Sequence, residues 1–213
     1  MKTKRILMSV LGVVICGISV GFFKVAAFGV DPFQSFMSGI DKTIPLSFGV
    51  LNVVVNALLL LFALIFDRHY IGIATFVNLF LLGFIVEGTI GAIHLVFPSL
   101  GSFGRIAFFA VGFVALCFSS SIYITADLGV STYDAVAIIM AEKWKIGKFK
   151  YIRIATDIVC VLLGTGLILL GGGNFAEVTA SVGIGTILTA FFMGPLIDFF
   201  SKTVARPMLN KKN

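Results

Sequence analysis

The sequence predicts an all-α membrane protein with about six transmembrane helices. Its 213 residues are 59% hydrophobic and only 12% charged, and the mean hydropathy is +1.10. Soluble globular chains are roughly 45–50% apolar and about 25% charged. Because a span needs about 20 apolar residues, this length holds about six helices with short loops and no separate soluble domain. We therefore expect a single transmembrane domain over residues 1–213, with the lipid bilayer as its surroundings.

Six apolar runs are the predicted spans, and they cover residues 6–28, 48–66, 71–95, 106–125, 152–170 and 177–200. An ambiguous stretch follows the first run (29–47) and the fourth run (129–150), and each opens with Gly-Val and a capping or turn residue. These stretches are either short re-entrant or interfacial helices, or two additional spans that would give eight crossings. We favour six, because a helix of about 12 residues reaches only about 18 Å into a core of about 30 Å.

Positive charge is concentrated in the segments that a six-span topology places in the cytoplasm. Thirteen of the sixteen Lys and Arg residues lie there, whereas Lys42 and Arg105 fall outside and Lys24 lies near the outer end of the first span. This distribution follows the positive-inside rule, so the net charge of +6 does not indicate a nucleic-acid partner. Six and eight crossings both leave the basic tails, 1–5 and 201–213, in the cytoplasm.

The chain also contains two related halves. Residues 11–30 align without a gap with 111–130, and Gly72-Ile73-Ala74-Thr75 recurs as Gly183-Ile184-Gly185-Thr186. We predict one repeat over about 6–95 and a second over about 106–200. Three spans in each repeat would make the halves inverted, as in many secondary transporters, whereas four in each would make them parallel.

Two motifs carry a resemblance to a known family. The motifs are the block at 183–198, Gly-Ile-Gly-Thr-x6-Phe-Met-Gly-Pro-Leu-Ile-Asp, and the turn at 128–134, Leu-Gly-Val-Ser-Thr-Tyr-Asp. With them, the chain resembles the YczE/YyaS/YitT family of bacterial inner-membrane proteins over essentially its whole length. The resemblance implies a small plasma-membrane protein of five or six spans, and it brings no established substrate or catalytic residue.

One group of candidate site residues lies on a helix face that both halves share. Gly72, Thr75, Leu79, Gly83 and Glu87 fall at helical spacing, and Thr186 and Asp198 occupy the corresponding positions of the second half. Small residues on one face also predict a simple helix-packing seam. An acidic side chain within a span is a candidate for proton or cation coupling, so Thr75, Glu87, Thr186 and Asp198 are candidate binding residues.

A second group surrounds the two Gly-Val turns. Asp31 and Ser131 are suited to cap helices, Pro32 suits a first helical position, and Asp134 ends the second motif. Asn56 and Asp157 are polar residues within apolar runs, and Asp157 can pair with Arg153 four residues earlier. These residues either line a polar cavity for a solute at the N-termini of two half-helices, or belong to short helices on the two membrane surfaces.

The sequence does not indicate an enzyme, a cofactor or a metal site. His69 and His94 lie outside any catalytic or metal-binding spacing, and Gly171-Gly172-Gly173 is not followed by the Lys of a phosphate-binding loop. We therefore expect a permease for a small solute or ion. The alternative is a non-transporting accessory or regulatory protein that acts through a homodimer or a membrane partner, for which Gly17 and Gly21 would provide a contact surface.

Overall fold

The fold is a bundle of helices, and in the part of the chain that the structure describes, six helical segments have the length and apolarity to cross a membrane. The computed structural model describes residues 2–147 and 149–210, and those ranges contain no β-strand. Parts of the predicted basic segments, residues 1, 148 and 211–213, lie outside them. The six long apolar segments are Thr3–Ala26, Phe48–Phe66, Ile73–Val96, Ser102–Ala126, Tyr151–Leu170 and Phe175–Met193. The predicted all-helical class is confirmed, with six segments that are candidates to span a membrane.

The helix bounds follow the apolar runs closely. The helices are α1 (Lys2–Ala26), α2 (Pro32–Thr43), α3 (Phe48–Phe66), α4 (Ile73–Val96), α5 (Ser102–Ala126), α6 (Thr132–Ile138), α7 (Phe149–Leu170), α8 (Phe175–Ser181), α9 (Ile184–Phe200) and α10 (Arg206–Asn210). A 3₁₀ turn covers Arg68–Tyr70, and π-helical turns extend α6 over Ile139–Lys143 and α9 over Ser201–Ala205. Both ambiguous stretches are thus short helices.

The last predicted span, 177–200, is divided between two helices, α8 and α9. The chain leaves helical geometry after Ser181, and Gly183 is extended (φ −136°, ψ −161°). The Gly183 N–H donates to the hydroxyl of Thr186 (3.3 Å), which caps the start of α9. Hydropathy does not detect this break because Val182 and Gly183 are themselves apolar.

Helix α1 lies at the centre of the bundle, between α4 and α5. Small residues permit the close approach: a Cβ atom on Gly17 would lie 2.7 Å from Cγ2 of Ile85, and one on Gly21 would lie 2.8 Å from Cβ of Thr89. The surface around Gly17 and Gly21 is therefore covered by α4 of the same chain. It is not free to receive a partner helix.

Each short helix packs against a long helix from the other half of the chain. Helix α2 contacts α7, where a Cβ atom on Gly39 would lie 2.6 Å from the carbonyl oxygen of Gly164. Helix α6 contacts α3, and the Trp144 ring after its π-helical turn packs edge-on against Phe62 and Phe66. The two halves are thereby interlocked through their short helices.

Backbone hydrogen bonds secure the turn that precedes each short helix. Gly29 and Val30 donate to the carbonyls of Ala180 and Ser181, both at 3.0 Å. In the other turn, Val130 donates to the carbonyl of Tyr70 (3.1 Å), and the carbonyl of Leu128 accepts from Ala74 (3.0 Å). Gly29 and Gly129 have φ values of +106° and +107°, a conformation that glycine adopts without a steric penalty.

Replacement of Gly72 by Ala should destabilise the fold at this contact. A Cβ atom there would lie 2.0 Å from the carbonyl oxygen of Leu128, so the turn must move. Overpacking of this kind costs about 1–3 kcal/mol, which an SDS titration in mixed micelles can measure. The control is Gly88→Ala, because a Cβ atom at Gly88 meets nothing within 4 Å. A loss of stability no larger than that of the control would contradict the proposed tight contact.

The ends of the two short helices should be accessible from opposite sides of the membrane. Lys42 lies at the end of α2, shortly before α3 begins, whereas Trp144 follows α6 and packs against Phe66 at the end of α3. The two short helices therefore end at opposite ends of α3. We expect Lys42→Cys and Lys145→Cys, each in a chain without its three native cysteines, to react with an impermeant maleimide from opposite faces of intact membranes. Permeabilised membranes serve as the control, in which both positions should react. Reaction of both from the same face would refute the arrangement.

Candidate functional site

The N-termini of α2 and α6 meet inside the bundle. The rings of Phe33 and Tyr133, each in the first turn of its helix, stack with centroids 4.9 Å apart. Oδ1 of Asp31 accepts a hydrogen bond from the Gln34 N–H (3.2 Å), and Oγ of Ser131 accepts one from the Asp134 N–H (3.1 Å). The predicted capping roles of these two residues are thus present in the structure.

A charged cluster lies where the two helices meet, and its central residue is Arg153 of α7. The Arg153 guanidinium pairs with the carboxylate of Asp134 and, through Nε, with Oδ1 of Asp157 at 3.3 Å. The Tyr133 hydroxyl donates to the same Asp157 oxygen (2.7 Å), and the Arg153 guanidinium lies 4.3 Å from the centroid of the Tyr133 ring. The Ser131 hydroxyl donates to Oδ2 of Asp134 (2.7 Å). We call these five residues the Arg153 cluster.

The Arg153 cluster carries more negative than positive charge. It contains two carboxylates and one guanidinium, and Asp31 also lies within electrostatic range of Arg153. The side chains of Arg153, Asp134 and Asp157 are only 27–30% exposed. Removing charges from water costs several kcal/mol for each ion unless they are paired and hydrogen-bonded, and within a membrane such charges are usually functional.

Buried polar groups of α2 and α3 lie close to this meeting point. The Thr132 hydroxyl donates to Oδ1 of Asn56 (2.5 Å), whose Nδ2 donates to the carbonyl of Asn52 (2.8 Å). Among the described residues, no hydrogen-bond partner is present for the side-chain amide of Asn52, for Oε1 of Gln34 or for Oγ of Ser35. Buried polar atoms are satisfied in nearly all folded proteins, so these atoms are available to a solute or to water.

Thr75 and Thr186 have a structural role. The Thr75 hydroxyl donates to the carbonyl of Val130 (2.7 Å) and accepts from the Gly72 N–H (3.2 Å). The Thr186 hydroxyl donates in the same way to the carbonyl of Val30 (2.8 Å). Each threonine therefore fixes the turn of the opposite half, next to Ser131 or to Asp31.

Glu87 and Asp198 lie apart from the Arg153 cluster. Glu87 of α4 packs against α3, where a Cβ atom on Gly49 would lie 3.0 Å from Oε2 of Glu87. The Glu87 carboxylate lies within electrostatic range of Lys24 and Asp41. Asp198 is exposed and pairs with Lys202 (2.5 Å), four residues later on the same helix.

Polar contacts also hold the far ends of both short helices. Nζ of Lys42 lies 2.9 Å from Oε2 of Glu177 in α8. At the other end of the bundle, the Tyr70 hydroxyl donates to Oε2 of Glu142 (2.5 Å), and the Lys143 ammonium donates to the carbonyl of Phe66. The hydrogen bond to Glu142 raises the pKa of Tyr70 to about 12, because the neutral hydroxyl is the form that donates. Movement of either short helix would require these contacts to break.

Three residues of this region were not predicted as site residues from the sequence. Thr132 and Tyr133 follow the cap Ser131, and Gln34 lies three residues after the cap Asp31. The sequence could have indicated them, because polar residues in the first turn after a predicted cap lie beside any group that the helix N-terminus contacts. Their partners on α3 and α7 could not be predicted from local spacing.

A family model matches residues 3–202. The chain belongs to the DUF6198 family. This is a family of unknown function, and no solved structure matches the chain. Within the residues that the structure describes, no group of three or more His, Cys, Asp or Glu side chains is placed to hold a metal ion.

Relatives of this DUF6198 chain include two proteins of Bacillus subtilis. The uncharacterised membrane protein YczE is 24% identical over 176 residues, covering 81% of this chain and 74% of the relative. The uncharacterised protein YyaS is 23% identical over 208 residues, covering 94% of each chain. An uncharacterised Haemophilus influenzae protein is 25% identical over 206 residues, covering 96% of this chain and 86% of the relative. The predicted family resemblance is confirmed.

Loss of the Thr75 hydroxyl should destabilise the protein more than loss of a hydroxyl within one helix. Thr75→Val leaves the Gly72 N–H without its side-chain acceptor and the Val130 carbonyl without this donor. Unsatisfied buried groups cost about 1–3 kcal/mol each, measurable by SDS titration. The matched control is Thr89→Val, because the Thr89 hydroxyl donates only to the Ile85 carbonyl of its own helix. Equal losses for both variants would exclude the cross-half role of Thr75.

Proposed function

We propose that this protein is a small permease of the bacterial inner membrane that moves a small solute or ion. The observation that carries the proposal is the pairing of Arg153 with Asp134 and Asp157 where two short helices meet within an apolar bundle. Stability alone does not explain three charged side chains at this place, because apolar residues could pack there without the cost of removing any charge from water. A role in binding and releasing a polar solute accounts for them.

The arrangement of the halves supports a transport mechanism based on inverted repeats. Arg5 donates to the carbonyl of Ala126 (3.2 Å) and Arg105 to that of Ala26 (2.8 Å), so α1 and α5 run antiparallel. From their stacked first turns, α2 and α6 run towards opposite ends of the bundle. Discontinuous helices that meet near the midplane of inverted repeats form the binding sites of many secondary transporters.

The positive-inside rule assigns an orientation to this bundle. The end that contains the N-terminus, the 3₁₀ turn and Lys143 would face the cytoplasm, and the end that contains Lys42 and Arg105 would face outside. Helix α2 then extends from the Arg153 cluster towards the outside, and α6 extends towards the cytoplasm. Each short helix would control access from its own side.

In the Arg153 cluster, a transported cation could take the place of the Arg153 guanidinium as the partner of a carboxylate. The guanidinium pairs with both Asp134 and Asp157. If a proton or a small cation neutralised either carboxylate, the attraction between that carboxylate and the guanidinium would weaken. A shift of Arg153 would loosen α6, which carries Asp134, from α7. Binding is thereby linked to the position of a short helix, as alternating access requires.

Flux measurements in proteoliposomes test the proposal. We expect the purified protein to move at least one of H⁺, Na⁺, K⁺ or methylammonium faster than protein-free vesicles do. Asp157→Asn should reduce that flux by roughly 10- to 100-fold, because hydrogen bonds to charged groups contribute about 1.5–3 kcal/mol.

The control for this experiment is Asp198→Asn, which changes an exposed helical pair and should leave the flux within about twofold, since surface pairs contribute at most about 1 kcal/mol. Monodisperse elution of all variants establishes folding. Flux that is insensitive to Asp157→Asn would refute the assignment of the site. Absence of flux for all four cations would refute the cation permease and favour an accessory role.

A further inference from the structure

A cavity of about 300 Å³ lies between the two halves of the chain, at the end of the bundle that contains Lys42. Its wall is formed by α1 and α2 from the first half and by α7 and α8 from the second. Val30, in the turn between α1 and α2, also lines it, and the Val30 N–H donates to the carbonyl of Ser181 in the same wall. Pockets for small molecules have volumes of about 300–1,000 Å³, so this cavity suits a solute of few atoms.

Four charged residues belong to this wall, and two of them neutralise each other. They are Lys24, Lys42, Asp41 and Glu177, so the formal charge of the wall is zero. Nζ of Lys42 lies 2.9 Å from Oε2 of Glu177. Within the part of the chain that the structure describes, the side chains of Lys24 and Asp41 form no ion pair within 4 Å and no hydrogen bond. The wall therefore retains one unpaired cation and one unpaired anion.

The Lys24 ammonium is held in place without using its hydrogen-bond donors. It lies 3.5 Å from the centroid of the Phe48 ring, a cation–π contact. An ammonium has three N–H donors, and the described residues supply no acceptor for them. Lys24 and Asp41 also lie within electrostatic range of each other. One small solute can therefore contact both groups.

Ser38 adds an acceptor next to Asp41. The two residues are three positions apart on α2 and line the same cavity. The Ser38 hydroxyl donates to the carbonyl of Gln34 (2.9 Å), so its own oxygen is left to accept. Asp41 and Ser38 together are suited to a group with several N–H donors, such as an ammonium.

The balance of charges selects against a solute with a single charge. A simple anion would pair with Lys24 but would be repelled by Asp41, and a simple cation would meet the opposite problem. Like charges brought together at a binding site reduce affinity for the wrong partner. A solute that carries both charges complements both groups.

We infer that this cavity binds a small zwitterion, whose anionic oxygen group pairs with Lys24 and whose ammonium pairs with Asp41 and Ser38. The inference rests on the proposed permease function and names the class of solute that enters from this end. The ammonium of such a solute is also suited to the carboxylates of the Arg153 cluster.

Two sources supply this chemistry. A free amino acid of a few carbon atoms carries an ammonium and a carboxylate, and the headgroup of phosphatidylethanolamine carries an ammonium and a phosphate. Only the free amino acid is a solute for a permease, so the experiment separates the two sources.

Protection of a cysteine from alkylation measures binding without a flux assay. Ala180→Cys lines the cavity, and Ala176→Cys, one turn earlier on α8 and outside this cavity, is the matched control. Each is made in a chain with its three native cysteines replaced, purified in detergent and treated with the neutral reagent N-ethylmaleimide. Glycine, β-alanine and 4-aminobutyrate are the zwitterions tested, and butyrate and butylammonium each carry only one of the two charges.

We expect at least one zwitterion to slow alkylation at position 180 at concentrations about tenfold lower than butyrate or butylammonium require, because charge-assisted hydrogen bonds form at both ends. Alkylation at position 176 should be unaffected. Protection by none of the three zwitterions, or equal protection by the singly charged compounds, would overturn the inference.

Two charge-removing variants make the assignment specific. With Asp41→Asn the wall has an excess positive charge, so butyrate should protect better than butylammonium. With Lys24→Gln the order should be reversed. A loss of stability alone would not produce opposite preferences, and the same order of protection in both variants would overturn the assigned roles.

The remaining comparisons separate this site from the lipid and from the permease. Slower alkylation in nanodiscs of phosphatidylethanolamine than of phosphatidylglycerol, without protection by free zwitterions, would overturn the solute and identify a lipid headgroup. Protection by a zwitterion that is not transported, in proteoliposomes that also move no cation, would refute the permease and leave a binding site. Cation flux without such protection would refute this site and leave the permease.

Discussion

The need to satisfy backbone hydrogen bonds inside an apolar bundle governs this architecture. A helix that breaks within lipid exposes N–H and C=O groups that no water can reach, so the break must be surrounded by protein. The turns after α1 and α5 meet this requirement by hydrogen bonding with the segment before the last long helix of the opposite half. Glycine at positive φ in each turn, at Gly29 and Gly129, permits the required geometry.

That requirement also determines where the charges lie. Because each turn is held by the opposite half, α2 and α6 begin beside each other and extend apart. Their caps, Asp31 and Ser131, are thereby brought to one region of the bundle, together with Asp134. The side chains of Arg153 and Asp157 reach this region from α7. The same backbone contacts that stabilise the fold thus create a polar site inside it.

The polar residues divide into those whose hydrogen bonds hold the structure and those that we propose contact a solute. Thr75 and Thr186 each donate to a backbone carbonyl of the opposite turn, so their hydroxyls are already used. The Arg153 cluster has an excess of carboxylates, and Gln34 and Asn52 retain unpaired amide atoms among the described residues. Unsatisfied groups beside an ion-pair network are costly to the fold, and they are what a binding site requires.

The sequence by itself determined the features that depend on neighbouring residues. Apolar runs identified the six long helices, Asp31 and Ser131 were recognisable as caps, and the spacing of Arg153 and Asp157 indicated their pairing. Each of these follows from interactions within about four residues along a helix. Short motifs likewise predicted the resemblance to YczE and YyaS, which are relatives of this DUF6198 chain.

Only the tertiary structure decided which of these residues meet. It joined Tyr133 and Asp134 to α7, placed Glu87 against α3 and away from that cluster, and left Asp198 in an exposed pair. It also divided the last apolar run at Gly183, whose N–H is capped by Thr186. The physical reason is that these outcomes depend on which helix faces pack together. Hydropathy and local spacing describe each helix in isolation, and they contain no information about its neighbours.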